Sequence, residues 1–185
     1  MDRLFPMIVV TGGAGFIGSA VVAGLNAAGE TDIVIVDNLL ASAKWKNLVG
    51  LKYRDYIHKS QFLERLASPE LSKVRAIVHM GACSSTTETD GDYLMANNYA
   101  YTRMLAEHAL ENGIRFIYAS SAATYGGIEA GFDDDDATSL ALKPINRYGY
   151  SKQLFDEVAI GKGWQKAVVG LKFFNVYGPN EYHKG

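Results

Sequence analysis

The stretch Met7-Ile-Val-Val-Thr-Gly-Gly-Ala-Gly-Phe-Ile-Gly18 decides the fold. Its first five residues, Met7 to Thr11, are apolar or β-branched and read as a buried strand. Glycines follow at positions 12, 13, 15 and 18. From Gly15 the apolar spacing turns helical through Phe16, Ile17, Ala20, Val21, Leu25 and Ala28, and Gly29 is a natural stop. A helix that starts on such a loop points N–H groups and a partial positive charge at whatever lies before it. Gly12 allows the tight turn, Gly15 lets backbone approach a pyrophosphate, and Gly18 lets helix and strand pack closely. The next apolar run, Ile33 to Val36, ends at Asp37, 19 residues after Gly18. A carboxylate there would meet an adenosine ribose. Strand before, helix after and acid beyond distinguish this loop from a glycine-rich turn with no ligand.

Working outward, the same alternation continues. A short strand is expected near Tyr53 to Ile57 and a helix around Gln61 to Ala67. Ala76 to His79 reads as a strand, Tyr93 to Asn112 as one long helix closed by Gly113, and Arg115 to Ser120 as a strand. Arg147 to about Ile160 is a helix and Val168 to Phe174 a last strand. Strands apolar on both faces, alternating with helices, predict an α/β fold: a doubly wound parallel sheet of Rossmann type, forming one domain over residues 1–185. The acidic run Asp133 to Asp136 is expected to be a solvated loop.

Composition excludes several function classes. The chain has 185 residues, 48% of them hydrophobic and 21% charged, with a formal net charge of −2. Such a chain can bury a real core and carries no broad field for nucleic acid or a membrane surface. The one cysteine, Cys83, excludes an internal disulfide framework and any multi-cysteine metal site, and no metal is expected. No apolar run approaches the roughly 20 residues that span a bilayer, and the N-terminus lacks a signal-type core. A cytoplasmic location is the expectation.

Asp37 alone favours NAD, because a carboxylate accepts from the ribose 2′-OH and repels a 2′-phosphate. Asn38 and the cations Lys44 and Lys46 follow closely, and a lysine there could neutralise that phosphate. Spacing leaves NAD against NADP open. The chemistry is carried by "RYGYSK", Arg147 to Lys152. Tyr148 and Lys152 are four residues apart and share one helix face, whereas Tyr150 falls on another. A tyrosine of pKa about 10 is a poor base at neutral pH. A nearby ammonium and the positive charge of an oxidised nicotinamide favour the phenolate. Upstream, "ASSAATYGG", Ala119 to Gly127, follows a strand at its carboxyl end, where doubly wound folds place ligands. Ser121 could hydrogen-bond the reacting oxygen and hold it near Tyr148.

The glycine loop, the serine-rich strand end and Tyr-x-x-x-Lys together resemble the extended short-chain dehydrogenase/reductase superfamily. Within it, "TGGAGFIGS", "VDNL", "GACSSTTETDG", "NNY", "YASSAATYGG", "YGYSK" and "FFNVYGPNEYHKG" are similar to the ADP-L-glycero-D-manno-heptose 6-epimerases, along all 185 residues. That resemblance implies inversion at C6 of an ADP-heptose by transient oxidation to a 6-keto sugar, with tightly held NADP as cofactor and NAD as the alternative. It implies Tyr148 as one base, Lys184 in "HKG" as the other, and Lys152 as the residue that orients cofactor and tyrosine. Ser121 and Asn175 match substrate contacts. Phe16, Ile17, Asp37, Asn38, Lys44, Lys59, Asn97 and Val176 match cofactor positions, as does the segment Met80, Gly81, Ala82, Cys83 and Ser84. Lys44 then becomes the 2′-phosphate partner. Without the resemblance Lys184 would read as a solvated lysine.

Two positions depart from the family pattern: Met80 stands where an acid is usual, and Asn180 where an arginine is usual after "YGP". The family is longer than this chain, which stops after "HKG". Most of the C-terminal substrate lobe is therefore expected to be absent, with full activity and homo-oligomer formation reserved for the full-length protein. A related C4 epimerase satisfies the same chemistry, and so does a turnover-incompetent NADP-binding module. A dehydratase is disfavoured, because Ala122 and Ala123 replace the acids that would remove a hydroxyl.

Overall fold

The computed structural model describes residues 6–127 and 131–181. The chain forms two compact units. The first runs up to Gly81 and adds Gly113–Arg115 and the stretch from Tyr177; the second comprises Ala82–Asn112 and Phe116–Val176.

In the first unit β1 (Met7–Thr11) leads into α1 (Phe16–Ala27) and then β2 (Ile33–Asp37). A six-residue 3₁₀ turn follows at Ala43–Leu48, then β3 (Asp55–His58), α2 (Lys59–Arg65) and β4 (Val74–His79). β1 pairs in parallel with β2 on one side and β4 on the other, and β3 joins β2, giving the order β3-β2-β1-β4. Both β1 and β2 are buried along their whole length, as continuous apolar strands covered on two faces must be. Ile8, Val10, Val22, Ile33 and Ile35 form the core that locks α1 to these strands. Because chain order reverses at β1, a crevice opens where the carboxyl ends of β1 and β4 part.

In the second unit α3 (Gly91–Leu94), a π-helical turn (Met95–Ala100) and α4 (Tyr101–Glu111) run on without a break. They lead into β5 (Arg115–Ser121), a 3₁₀ turn (Ala122–Tyr125), α5 (Asp136–Ala141), α6 (Arg147–Gly161) and β6 (Val168–Phe173). β5 and β6 pair in parallel. Phe155 of α6 sets its ring edge-on to Tyr118 of β5 at 4.7 Å, a buried aromatic contact that fixes the helix on the strand.

Two expectations change. The single helix over 93–112 contains a π turn, with Asn98 buried inside it. The acidic run is not only a loop: Asp135 caps α5, accepting from the Thr138 N–H at 2.8 Å, so the short helix begins on an acid as its free N–H groups favour.

A Cβ on Gly18 would overlap the Gly12 carbonyl, whereas one on Gly24, exposed in the same helix, meets nothing within 4 Å. Gly18→Ala should therefore cost about 3 kcal/mol or more, and Gly24→Ala should gain about 0.5–1 kcal/mol. Urea denaturation of the two variants checks the contrast.

Candidate active site

In the first unit the glycine loop is held from both sides. Gly12 takes φ +67°, and its N–H donates to Val36 O at 2.7 Å. A Cβ there would sit 2.6 Å from Gly81 N, so the end of β1 lies flat against the residue that follows Met80. Gly81 N–H in turn donates to Thr11 Oγ1 at 3.3 Å. Ala14 N–H donates to Asp37 Oδ2 at 2.9 Å, and Ala14 O accepts from Asn47 Nδ2 at 2.9 Å. Asp37 thus braces the loop directly, a role the ribose argument did not anticipate. Asn47 was missed altogether; its only mark in the sequence is a polar residue inside an otherwise solvated basic stretch.

α1 begins after Gly15 with no side-chain cap and no acid in its first turn. A twelve-residue helix that opens this way presents its N-terminal charge to an anion rather than to its own residues. Gly12, Gly15, Phe16, Ile17 and Gly18 all belong to this turn. Lys44 Nζ donates to Asp37 Oδ1 at 2.9 Å, to Asn38 O at 2.9 Å and to Asn38 Oδ1 at 3.3 Å. The three expected residues Asp37, Asn38 and Lys44 therefore form one cluster at the end of β2. Lys59 opens α2, and Met80 and Gly81 follow β4. Asn180 adopts φ +75° and donates from Nδ2 to Ser19 Oγ at 3.3 Å. Asn tolerates that left-handed conformation better than an arginine, which accounts for one departure from the family pattern.

In the second unit α6 and β5 carry the chemistry. Asn146 caps α6, accepting from Gly149 N–H at 2.7 Å, and so fixes where Tyr148 emerges. Tyr148 is 9% exposed and hydrogen-bonds Ser121. Ser121 Oγ also accepts from Ala123 N–H at 3.1 Å. Lys152 is 5% exposed, and its ammonium donates to Ala119 O at 2.9 Å. The predicted trio of Tyr148, Lys152 and Ser121 is thus brought together by one helix and one strand end.

Burial pushes the Tyr148 hydroxyl above its ordinary value; the Ser121 hydrogen bond opposes this and Cys83 adds to it. The expected lowering by Lys152 is outweighed, so the chain by itself keeps this phenol protonated at neutral pH. Burial pulls the Lys152 ammonium down to about 8 against the upward pull of Asp156 and Cys83.

Ala82, Cys83 and Ser84 form the loop that opens the second unit, and the loop is positioned by a residue the sequence reading missed. Asn98 Oδ1 accepts from Cys83 N–H at 2.9 Å, and its Nδ2 donates to Cys83 O at 3.0 Å and to Ser151 Oγ at 3.1 Å. Asn97 donates to Asn98 Oδ1 at 2.9 Å. The π turn bends the helix so that both asparagines face this work, a distortion that recurs at functional sites. Asn175 and Val176 follow β6, Asn175 exposed. Lys184 lies outside the described residues. Among the described residues no group of three or more His, Cys, Asp or Glu could hold a metal, and no helix is long and apolar enough to cross a membrane.

The profile of the NAD dependent epimerase/dehydratase family matches residues 8–185. The chain belongs to this family. Its cofactor class is thereby a nicotinamide dinucleotide, which agrees with the glycine loop and the uncapped α1. An ADP-L-glycero-D-manno-heptose-6-epimerase of Nitratidesulfovibrio vulgaris is 61% identical over 180 residues, 97% of this chain and 56% of the relative. The crystal structure of the Helicobacter pylori ADP-L-glycero-D-manno-heptose-6-epimerase matches with a TM-score of 0.80 at 31% identity, over 100% of this chain and 60% of that one. The UDP-glucuronic acid 4-epimerase of Bacillus cereus, solved with NAD, matches at 0.78 and 26% identity, over 97% of this chain and 60% of that one. The Rossmann-like class read from the sequence is thereby established. The chain spans a little over half the length of these epimerases.

The lowered Lys152 ammonium has a consequence for stability. Unfolded, the lysine titrates at its ordinary 10.5; folded, at about 8. Between these values the unfolded chain holds a proton that the folded chain lacks. Stability therefore rises with pH across that window, by an amount on the order of 2 kcal/mol between pH 7.5 and 10. Lys152→Met should remove that rise in urea denaturation run at pH 7.5, 9 and 10.

Proposed function

We propose that the protein carrying this chain inverts C6 of the heptose in ADP-D-glycero-D-manno-heptose, giving ADP-L-glycero-D-manno-heptose for the lipopolysaccharide inner core. The observation that carries this reading is the buried Tyr148–Ser121–Lys152 cluster at the end of β5, in a chain 61% identical to a heptose epimerase. When bound, the dinucleotide supplies reversible removal of hydride from the reacting carbon. The chain's own residues do the rest. Ser121 holds the sugar oxygen in line, Tyr148 takes its proton as the carbonyl forms, and Lys152 favours the phenolate. Burial alone keeps Tyr148 protonated, so the phenolate forms only with positive charge beside it. Epimers place their hydroxyls on opposite sides, and one base within hydrogen-bond reach of one epimer cannot serve the other without rotation of the substrate. Lys184 is the second base in this reading, and Asn175 a substrate contact.

The turn after Ser121 begins with Ala122 and Ala123, which offer no acid to a leaving hydroxyl; this supports epimerisation over dehydration. For the cofactor we favour NADP over NAD. Lys44 pairs with Asp37, so the carboxylate that would repel a 2′-phosphate is already matched by a cation of the same cluster. The other cofactor residues are those of the glycine loop with Asn38, Lys59, Asn97, Val176 and the segment Met80–Ser84. We also expect a cytoplasmic, homo-oligomeric protein.

Adding the ADP-heptose to the protein at its native length and following C6 configuration by NMR tests the reading; cofactor bound without inversion would sink it. Tyr148→Phe should leave cofactor binding intact and cut turnover by roughly 10²–10⁴. Lys44→Ala should weaken NADP much more than NAD, and equal losses in calorimetry would remove Lys44 from 2′-phosphate recognition.

A further inference from the structure

Asp156 has no part in the reaction as described, yet it is among the most firmly engaged acids of the second unit. It is 4% exposed and its carboxylate accepts from Tyr118 Oη, Ser120 Oγ and Lys172 Nζ, each at 2.7 Å. Lys172 also donates to Thr124 Oγ1 at 3.0 Å, in the turn beyond Ser121. A buried carboxylate with three donors ties together α6, β5 and β6.

Its position on α6 gives this network a direction. Tyr148, Lys152 and Asp156 recur every four residues and so share one face of the helix. Each turn holds a different point of β5: Tyr148 bonds Ser121, Lys152 bonds Ala119 O, and Asp156 bonds Ser120 and Tyr118. The three contacts end at the serine that would hold the substrate oxygen.

Resting on the function proposed above, we propose that Asp156 is a positioning residue of the reaction, one that clamps the end of β5 to the catalytic face of α6 and keeps the Lys152 ammonium charged. Lys152 and Asp156 make no ion pair with each other. Lys152 spends its hydrogen bond on Ala119 O, and Asp156 pairs with Lys172. They lie one turn apart on the helix, with both side chains buried, so their attraction is little screened by water. Among the groups that hold the buried ammonium up against burial, Asp156 comes first and Cys83, in the loop after Gly81, second. The groups that face Asp156 are Tyr118 of β5, Lys172 of β6 and, through Tyr118, Asp136 of α5. Burial, then Asp156 itself, pushes the Tyr118 hydroxyl up, so it remains a neutral donor. Asp133, Asp134, Asp136 and Asp156 also line one cavity of about 850 Å³.

The test is a ¹³C titration of the lysines, with Lys152 assigned by its loss in Lys152→Arg. In this chain Lys152 should titrate near 8. In Asp156→Asn its midpoint should fall by about one unit, a tenfold loss of ammonium relative to amine at any fixed pH. Lys172→Met removes the competing cation and should move the midpoint the other way. Asp156→Glu should stay near the parent value. At native length, with cofactor, Asp156→Asn should move the alkaline limb of kcat downward in pH by a similar amount, with KM within twofold.

A folded Asp156→Asn whose Lys152 midpoint is unmoved overturns the proposal. Should that variant not fold, Lys172→Met decides: an unmoved or lowered midpoint overturns it equally. Full turnover in Lys152→Met is a different failure. It would overturn the catalytic reading through activity, while the titration reads the coupling of Asp156 to Lys152 without any turnover.

Discussion

Gly12, Gly18 and Gly81 meet at separations that leave no room for a Cβ. The end of β1, the first turn of α1 and the segment after β4 can close on one another only because these positions carry no side chain. That closure brings an uncapped helix terminus to the point where strand order reverses. Asp37 and Asn47 then hold the intervening Ala14 peptide by both its N–H and its carbonyl. The anion-binding geometry of the first unit is therefore a packing result before it is an electrostatic one. The helix charge is useful only because the loop is fixed.

The second unit solves a different problem. It places a lysine at 5% exposure and a tyrosine at 9%, both of which burial drives toward their neutral forms. A tyrosine that must give and take a proton is then quiet in the empty chain and becomes a base only beside added positive charge. Burial thereby couples proton transfer to occupancy of the cofactor site, which protects a site of this kind from idle chemistry. Asp156, on the next turn of the same helix, supplies the opposing charge that keeps the lysine from losing its proton outright.

Much of this was legible in the sequence, and for physical reasons. Glycines that avoid overlap, apolar strands buried on both faces, and a Tyr-Lys pair one turn apart each leave a local pattern. Asn47, Asn98 and Asp156 leave none. Each acts across a long separation in sequence, on a partner chosen by the fold: Ala14, Cys83 and Ser151, and Tyr118 with Lys172. Asp156 alone could have been found, by carrying the four-residue spacing of Tyr148 and Lys152 one turn further. The π turn at Met95–Ala100 was hidden because its residues are ordinary helix formers in an apolar spacing. Asp37 was recognised, but for the wrong immediate task; it braces the glycine loop through Ala14 as well as meeting Lys44.

The central claim is that this site lends a hydride and takes it back, without exchanging the reacting hydrogen with water. It is tested most directly with the ADP-heptose carrying deuterium at C6, converted by the protein at its native length and analysed by NMR and mass spectrometry. The account predicts that the inverted product keeps its deuterium at C6. Washout of that deuterium into solvent would mean that C6 loses a proton rather than a hydride, and would contradict it.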